Sequence, residues 1–212
     1  MDIFKAISGF IPSVTDEHRV IALMQRQLDR HGLLSLQRHC PTGHFTVSAM
    51  VFSADLTHVL FAFHNIYRSW AWLGGHADGQ TDLFAVAAKE LFEESGLLGV
   101  SALSALPISA EILPVAAHRR KGQPVDAHLH FNLTYAFICP GVTFAPRRTT
   151  AKKPCRRRFA PAKVRLALCC RPGENCAAGW IPISRLGRLV TEKHMLPIYN
   201  KIIRRVLDTQ VP

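Results

Sequence analysis

One stretch limits what this 212-residue chain can become more than any other, GGHADGQTDLFAVAAKELFEESGL from Gly74 to Leu97. A glycine pair opens it and a polar loop follows. An uninterrupted helix is expected from about Asp82 to Glu94, and Ser95-Gly96 stops it. Asp82 suits the N-cap, because its carboxylate can accept from an unpaired backbone N–H of the first turn. Gly96 suits the residue after the helix, because glycine enters positive φ without steric cost. Leu83, Phe84, Ala87, Ala88 and Leu91 recur at three- and four-residue spacing, so one side of the helix faces a core.

The acids on this helix carry the chemical information. Glu90, Glu93 and Glu94 lie three and four positions apart in the last turns, where the helix dipole is already negative. Each acid placed there costs roughly 0.3–1 kcal/mol, and like charges at four-residue spacing add a few tenths. A hard divalent cation reverses that balance, since Mg²⁺ takes carboxylate oxygens and keeps positions for water and phosphate oxygens. A bare ExxEE is more often a solvated acidic helix end, here paired with Lys89, so the surrounding residues have to decide.

Those residues resemble the signature of the Nudix hydrolases. The family's box reads Gly, five residues, Glu, seven residues, Arg-Glu, an aliphatic, any residue, Glu-Glu, any residue, Gly, an aliphatic. Counted from Gly75, this chain places Glu90, Leu91, Glu93, Glu94, Gly96 and Leu97 in register, with Thr81 at the first Glu position and Lys89 at the Arg position. The resemblance implies an α/β (α+β) fold, a Nudix-type αβα sandwich with a mixed sheet between helices. It also implies divalent-metal-dependent hydrolysis of a phosphoanhydride bond in a nucleoside diphosphate linked to another moiety. Glu90, Glu93 and Glu94 would be catalytic residues and metal ligands, with Mg²⁺ or Mn²⁺ as cofactor. Lys89, Thr81 and Gly96 would support the box, Lys89 by bracing the loop against the helix, with Asp78 or Asp82 as its alternative partner in place of Thr81.

Along the chain, Thr15 to His31 carries Val20, Ile21, Leu23, Met24 and Leu28 at helical spacing, capped by Thr15 or Asp16 and ended by Gly32. HFTVSAMVFS from His44 and THVLFAF from Thr57 read as adjacent strands. Trp70, Trp72 and Leu73 form a short strand leading into the glycine loop. SAEILPVAAH from Ser109 and HLHFNLTYAFIC from His128 are further strands, separated by a basic loop from Arg119 to Asp126. Trp180 to Ile183 is a short strand, Ser184 caps the turn after it, and His194 to Leu207 is an amphipathic helix. Its Ile198, Ile202, Ile203 and Val206 are expected on the sheet, with Lys201, Arg204 and Arg205 in water. The expected organisation is a helical extension over residues 1–40 packed on a domain spanning 41–212.

His128 and His130 are two apart on a strand and share a face with Asn132 and Thr134. Two histidines so spaced could begin a transition-metal site, but no third ligand is tied to them by spacing. Contact with substrate beside the active site is the preferred reading. A Nudix group with a His-x-His-x-Asp strand is similar, with Asn132 standing here in place of the Asp. Gly74 and Gly75 are assigned to substrate binding alongside them, as a loop whose backbone can come close to the site. Trp70, Trp72 and Tyr135 could line a base or sugar pocket, each being more often core. Glu111 and Glu174, on other loops, are candidates for the proton acceptor, as is one of the three box glutamates.

The net charge of +11 is concentrated in one place. No acid occurs between Asp126 and Glu174, an interval crowded with arginine and lysine, and the segment at about 140–173 reads as a disordered basic insertion. A nucleic-acid-binding arm, a solvated insertion and a shifted reading frame are the alternatives. Sparse aromatic interleaving favours the second over the first. The partner expected is therefore a small nucleotide substrate, with nucleic acid the weaker reading; the competing function is a Nudix-like module that binds nucleotide or RNA without turning it over. Six cysteines without metal-ligand spacing, no apolar run of membrane-spanning length and no export signal in MDIFKAISGFIPS point to a cytoplasmic location with reduced thiols and no membrane partner. Oligomeric state leaves no mark in the sequence.

Overall fold

The computed structural model describes residues 2–65, 68–120, 122–144 and 175–210. In chain order the elements are α1 (Ile3–Ser8), α2 (Thr15–His31), a 3₁₀ turn (Gly32–Leu36), β1 (Gly43–Ser53), β2 (His58–His64), β3 (Ser69–Ala71), β4 (Leu73–His76), α3 (Leu83–Ser95), β5 (Ser101–Ala102), β6 (Ser109–Val115), β7 (His118–Arg120), β8 (Gln123–Val125), β9 (His128–Cys139), β10 (Asn175–Pro182), α4 (Leu186–Leu189) and α5 (Leu196–Gln210).

β1 is the centre of the molecule. Its β-branched and aromatic residues are buried from Gly43 to Ser53, so both faces must be covered. It runs parallel to β9 from Gly43↔Leu129 to Ser53↔Cys139 and antiparallel to β4 and β2 on its other edge. The mixed sheet runs β10-β2-β1-β9-β5, with β3 on β2, β4 on β1 and β6 on β9.

Alternation along β1 sorts its side chains to two helical layers. Phe45, Val47, Ala49 and Val51 join Leu133, Tyr135 and Phe137 of β9 in a core closed by Ile3 of α1, Met24 and Leu28 of α2, and Leu83, Ala87 and Leu91 of α3. Met50 and Phe52 face the other way, joining Val59, Phe61 and Ala136 beneath Tyr199, Ile202, Ile203 and Val206 of α5. Burying Ile202 and Val206 completely contributes about 1.5–3 kcal/mol each. A mixed sheet between helices is the architecture the sequence reading expected.

Several local expectations need correction. α1 was not foreseen, and its N-cap is Asp2, which accepts from the Lys5 N–H at 3.0 Å. α2 spans Thr15–His31 as expected, but neither Thr15 nor Asp16 caps it: the N-cap is Val14, without a side-chain bond. Gly32 does end it, at φ 54°. The region from Arg119 to Asp126 is not all loop, since β7 and β8 pair there from His118↔Val125 to Arg120↔Gln123. The basic run from Arg147 to Arg158 and the acid Glu174 lie outside the described residues.

The largest departure concerns α5. Lys201 and Arg205 do not stay in water, because two buried acids lie across from them. Lys201 Nζ reaches Glu17 Oε1 of α2 at 2.8 Å and Glu111 Oε1 of β6 at 2.9 Å. Arg205 pairs with Glu17 Oε2 and donates to Ser13 Oγ, and the Ser13 N–H donates to Glu17 at 3.1 Å. Arg204 remains exposed. Burial raises the pKa of Glu17, but Arg205 and Lys201 outweigh it and hold the carboxyl below its ordinary value. The network ties α2, β6 and α5 together across the edge of the sheet. Removing Glu17 leaves Arg205 without a carboxylate and Lys201 with Glu111 alone, so Glu17→Ala should lower stability at neutral pH by about 3 kcal/mol. An unaltered urea midpoint would show that solvent replaces the carboxylate there.

Candidate active site and an adjoining histidine cluster

α3 begins where Asp82 accepts from the Ala85 N–H at 3.0 Å. It ends at Gly96, left-handed at φ 65°, whose N–H donates to the Phe92 carbonyl at 2.7 Å. Both caps match the sequence reading. Glu90 and Glu94 are buried, at 5% and 7% exposure, and Glu93 is partly exposed beside them. Two buried carboxylates at the negative end of a helix oppose folding unless something compensates them.

What receives them is β4. Gly74 and Gly75 are not in a loop, as the sequence suggested. They are strand residues paired with Ser48 and Val47 of β1, and the loop begins only beyond His76. The Gly74 N–H donates to Glu94 Oε2 at 2.9 Å. A Cβ on Gly75 would stand 2.5 Å from the Glu90 carboxyl carbon, and one on Gly74 would stand 2.3 Å from the Val47 carbonyl oxygen. The bare Gly75 therefore leaves room for Glu90 against the strand, and the Gly74 N–H holds Glu94 beside it. A side chain at Gly75 would evict Glu90.

The bracing of the loop also differs from expectation. Lys89 does not clamp it: the side chain is 61% exposed and its ammonium lies 3.5 Å from Glu93, one helical turn on. Thr81 is exposed at the end of the loop. Asp82 is occupied with the cap, and Asp78 takes a different partner. Arg38, just past the 3₁₀ turn, donates to both oxygens of Asp78, at 2.6 Å from Nε and 2.7 Å from Nη2. This two-pronged bond holds Asp78 at φ 46°, a left-handed conformation that is costly for a residue with a side chain. Next to it, the Gly79 N–H donates to the Leu36 carbonyl at 3.0 Å. The loop is braced from the N-terminal part of the chain instead of from α3.

Other residues singled out in the sequence lie elsewhere. Glu111 is on a strand, not a loop, and its carboxylate meets Lys201, Ser109 and Thr134. Tyr135 is fully buried, and Trp70 and Trp72 pack with the α5 core, Trp72 edge-on to Tyr199 at 5.2 Å. These aromatics are core. Asn132 uses its amide inside the sheet, accepting from Thr46 at 3.1 Å and Ser48 at 3.0 Å and donating to Thr134 at 3.1 Å. The amide supplies a donor that an aspartate would lack.

Beyond Asn132 lies a cluster that the sequence only half revealed. β4, β1 and β9 are neighbours, and His76, His44 and His130 are of the same parity on them: His44 pairs with His130, and His76 pairs with Thr46. Their rings crowd together, with centroids 4.8 Å apart for His44 and His130, and 5.1 Å apart for His44 and His76 and for His76 and His130. His128 stacks on His44 at 5.0 Å, and its Nε2 lies 3.2 Å from His130 Nε2. Burial, then the charges of Arg38 and the neighbouring imidazoles, pushes His76 down to about 2. Burial, then His44 and His128, pushes His130 down to about 3. Both rings are neutral at physiological pH. Only His128 and His130 were singled out in the sequence, because the parity shared by His44 and His76 has no meaning until the strand order is known.

No family model and no curated protein sequence matches this chain. Solved structures with a similar arrangement include a hydrolase of the NUDIX family from Clostridium perfringens, 17% identical with a TM-score of 0.45 over 77% of this chain and 97% of that one. A C. elegans Ap4A hydrolase binary complex is 11% identical, with a TM-score of 0.46 over 78% of this chain and 96% of that one. The E. coli dihydroneopterin triphosphate pyrophosphohydrolase is 12% identical, with a TM-score of 0.43 over 77% and 95%. No chemistry follows from likeness of this degree; it has to come from the side chains.

The depressed histidines give a pH dependence whose sign is fixed. An unfolded chain binds protons at these rings below about 6.5, and the folded chain does not until far lower pH, so their contribution to stability is present above that value and falls away as the pH drops. Urea midpoints should decline from pH 6.5 to 4.5, and His130→Asn should flatten the decline. Ring proton shifts of His76 and His130 that already titrate near pH 6 would contradict the burial argument.

Proposed function

We propose that this protein hydrolyses a phosphoanhydride bond in a nucleoside diphosphate linked to another moiety, in the manner of the Nudix hydrolases. Glu90, Glu93 and Glu94 would hold Mg²⁺ or Mn²⁺. The observation that carries the reading is the burial of Glu90 and Glu94 against Gly75 and Gly74 at the disfavoured end of α3. A merely acidic surface would need neither the burial nor a strand stripped of side chains to receive it.

The donor chemistry fits such an ion. Carboxylate oxygens are the ligands a hard divalent cation prefers, and such an ion keeps waters beside its protein ligands for a substrate's phosphate oxygens to replace. When bound, the cation neutralises the anhydride oxygens and supplies a water of lowered pKa.

The remaining roles belong to the chain. Gly74 fixes Glu94 through its N–H, and Gly75 leaves the space that Glu90 fills, so both carboxylates are pre-positioned and little ordering is left for the moment of binding. The Arg38–Asp78 pair shapes the loop between β4 and α3 beside them. Because Glu111 is engaged by Lys201, we assign the proton-accepting role to one of the box glutamates instead.

Phosphate release from a panel of nucleoside diphosphate derivatives, with and without Mg²⁺ or Mn²⁺, tests this. The native chain should turn over only with metal, and the double variant Glu93→Gln, Glu94→Gln should lose at least about a hundredfold in rate, roughly 2.7 kcal/mol of barrier. Equal rates in the two proteins would remove the catalytic assignment, and binding without turnover would favour a recognition module. Gly75→Ala should impair turnover through Glu90 while leaving the far-ultraviolet circular dichroism unchanged. Full activity in Gly75→Ala would show that the seat of Glu90 is immaterial.

A further inference from the structure

We infer that His44, His76 and His130 form a binding site for a divalent transition-metal ion of the Zn²⁺ class, separate in its ligands from the box glutamates. The inference stands on convergence. One ligand nitrogen from each of the three rings can be chosen such that all lie within 4.8 Å of one another, and the box glutamates are not part of that group. Three imidazoles around a tetrahedral ion, each about 2.0–2.1 Å from it, place their nitrogens roughly 3.4 Å apart. Small side-chain rotations close the difference.

The scaffold under these rings is rigid. Each comes from a different strand, and the three strands are hydrogen-bonded neighbours held in register by β1. Imidazole donors on adjacent strands form a face, not a flexible loop, which is the kind of support a preorganised site needs. The donors are nitrogens only, which suits Zn²⁺, Co²⁺ or Ni²⁺ and disfavours Mg²⁺, an oxygen-seeking ion. The two metal preferences in this protein therefore divide by chemistry: oxygen ligands on α3, nitrogen ligands on the sheet.

A fourth ring stands ready beside the three. The Nδ1 of His128 faces the Asp126 carbonyl at 2.8 Å, and a ring nitrogen facing a carbonyl must be the protonated one. In the neutral ring Nε2 then carries the lone pair, 3.2 Å from His130 Nε2. Fixing the tautomer of a histidine through a backbone carbonyl is a common device around protein metal sites. The charge of Arg38 near His76 works against a cation, but both of its forks are on Asp78. A set of neutral histidines that merely stack is the competing account, and it takes up no metal.

The test uses the full chain, freed of metal by chelation. Calorimetric titration with Zn²⁺ should show one equivalent bound, and Co²⁺ should give the visible absorption of a nitrogen-ligated ion. His76→Asn and His130→Asn should each weaken Zn²⁺ binding by about a hundredfold or more, and Glu94→Gln should leave it intact. That last arm keeps this inference independent of the hydrolase reading, which predicts loss in Glu94→Gln and concerns a different ion. Should a variant fail to fold, ¹⁵N shifts of the imidazoles in the native protein upon Zn²⁺ addition locate the ion without substitution. No Zn²⁺ uptake, uptake unaffected by both histidine variants in folded protein, or ring shifts confined to other histidines would overturn the site.

Discussion

β1 pairs along both edges while buried on both faces, and the rest of the molecule depends on that. Its parallel partner β9 and its antiparallel partner β4 are brought to opposite sides of one strand over the same few residues, with Thr46 opposite both His76 and Asn132. A parallel pair needs a long crossover, and everything between β1 and β9 in sequence, including β4 and α3, lies in that crossover. The placement of the carboxylates and of the imidazoles follows from this single juxtaposition. Shifting β4 by one residue would exchange Gly75 and His76 between faces, destroying the seat of Glu90 and the histidine cluster together.

The two faces of β4 then acquire opposite characters. On the side of α3, backbone without side chains accommodates carboxylates that would otherwise be expelled to water. On the side of α5, a polar lane of Thr46, Ser48, Asn132 and Thr134 is closed by mutual hydrogen bonds and leads to the imidazoles. Each buried polar group in that lane has a partner, which is what allows polar residues to occupy the interior of a sheet. His76 and His130 meet the cost differently, since burial holds their pKa values well below the ordinary imidazole range.

Much of the frame was legible beforehand because it is local. Helix α3 declares itself through Asp82, its apolar spacing and Gly96, and β9 through a run of β-type residues without a breaker. Less legible were features whose meaning depends on a distant partner. Lys201 and Arg205 look like solvent-facing cations until Glu17 and Glu111 arrive from α2 and β6. Lys89 looks like a brace until Arg38 takes Asp78. Gly74 and Gly75 look like a turn, since paired glycines more often are one; only the register with β1 and the helix lying over them reveal why a strand should carry no side chains there.

By itself the sequence determined the longer elements and the chemical inventory: that α2 and α5 are helices and β1, β2 and β9 strands, where α3 starts and stops, and that three carboxylates share its final turns. Those properties are set by residues within a few positions of one another, through steric preference, capping and periodicity. Tertiary structure alone decided which groups are neighbours. It seated Glu90 and Glu94 on glycine backbone, turned two surface-looking cations into a buried network, and gathered His44, His76 and His130 from three strands. The reason is that strand order and register are long-range quantities, fixed only when the whole sheet closes around β1.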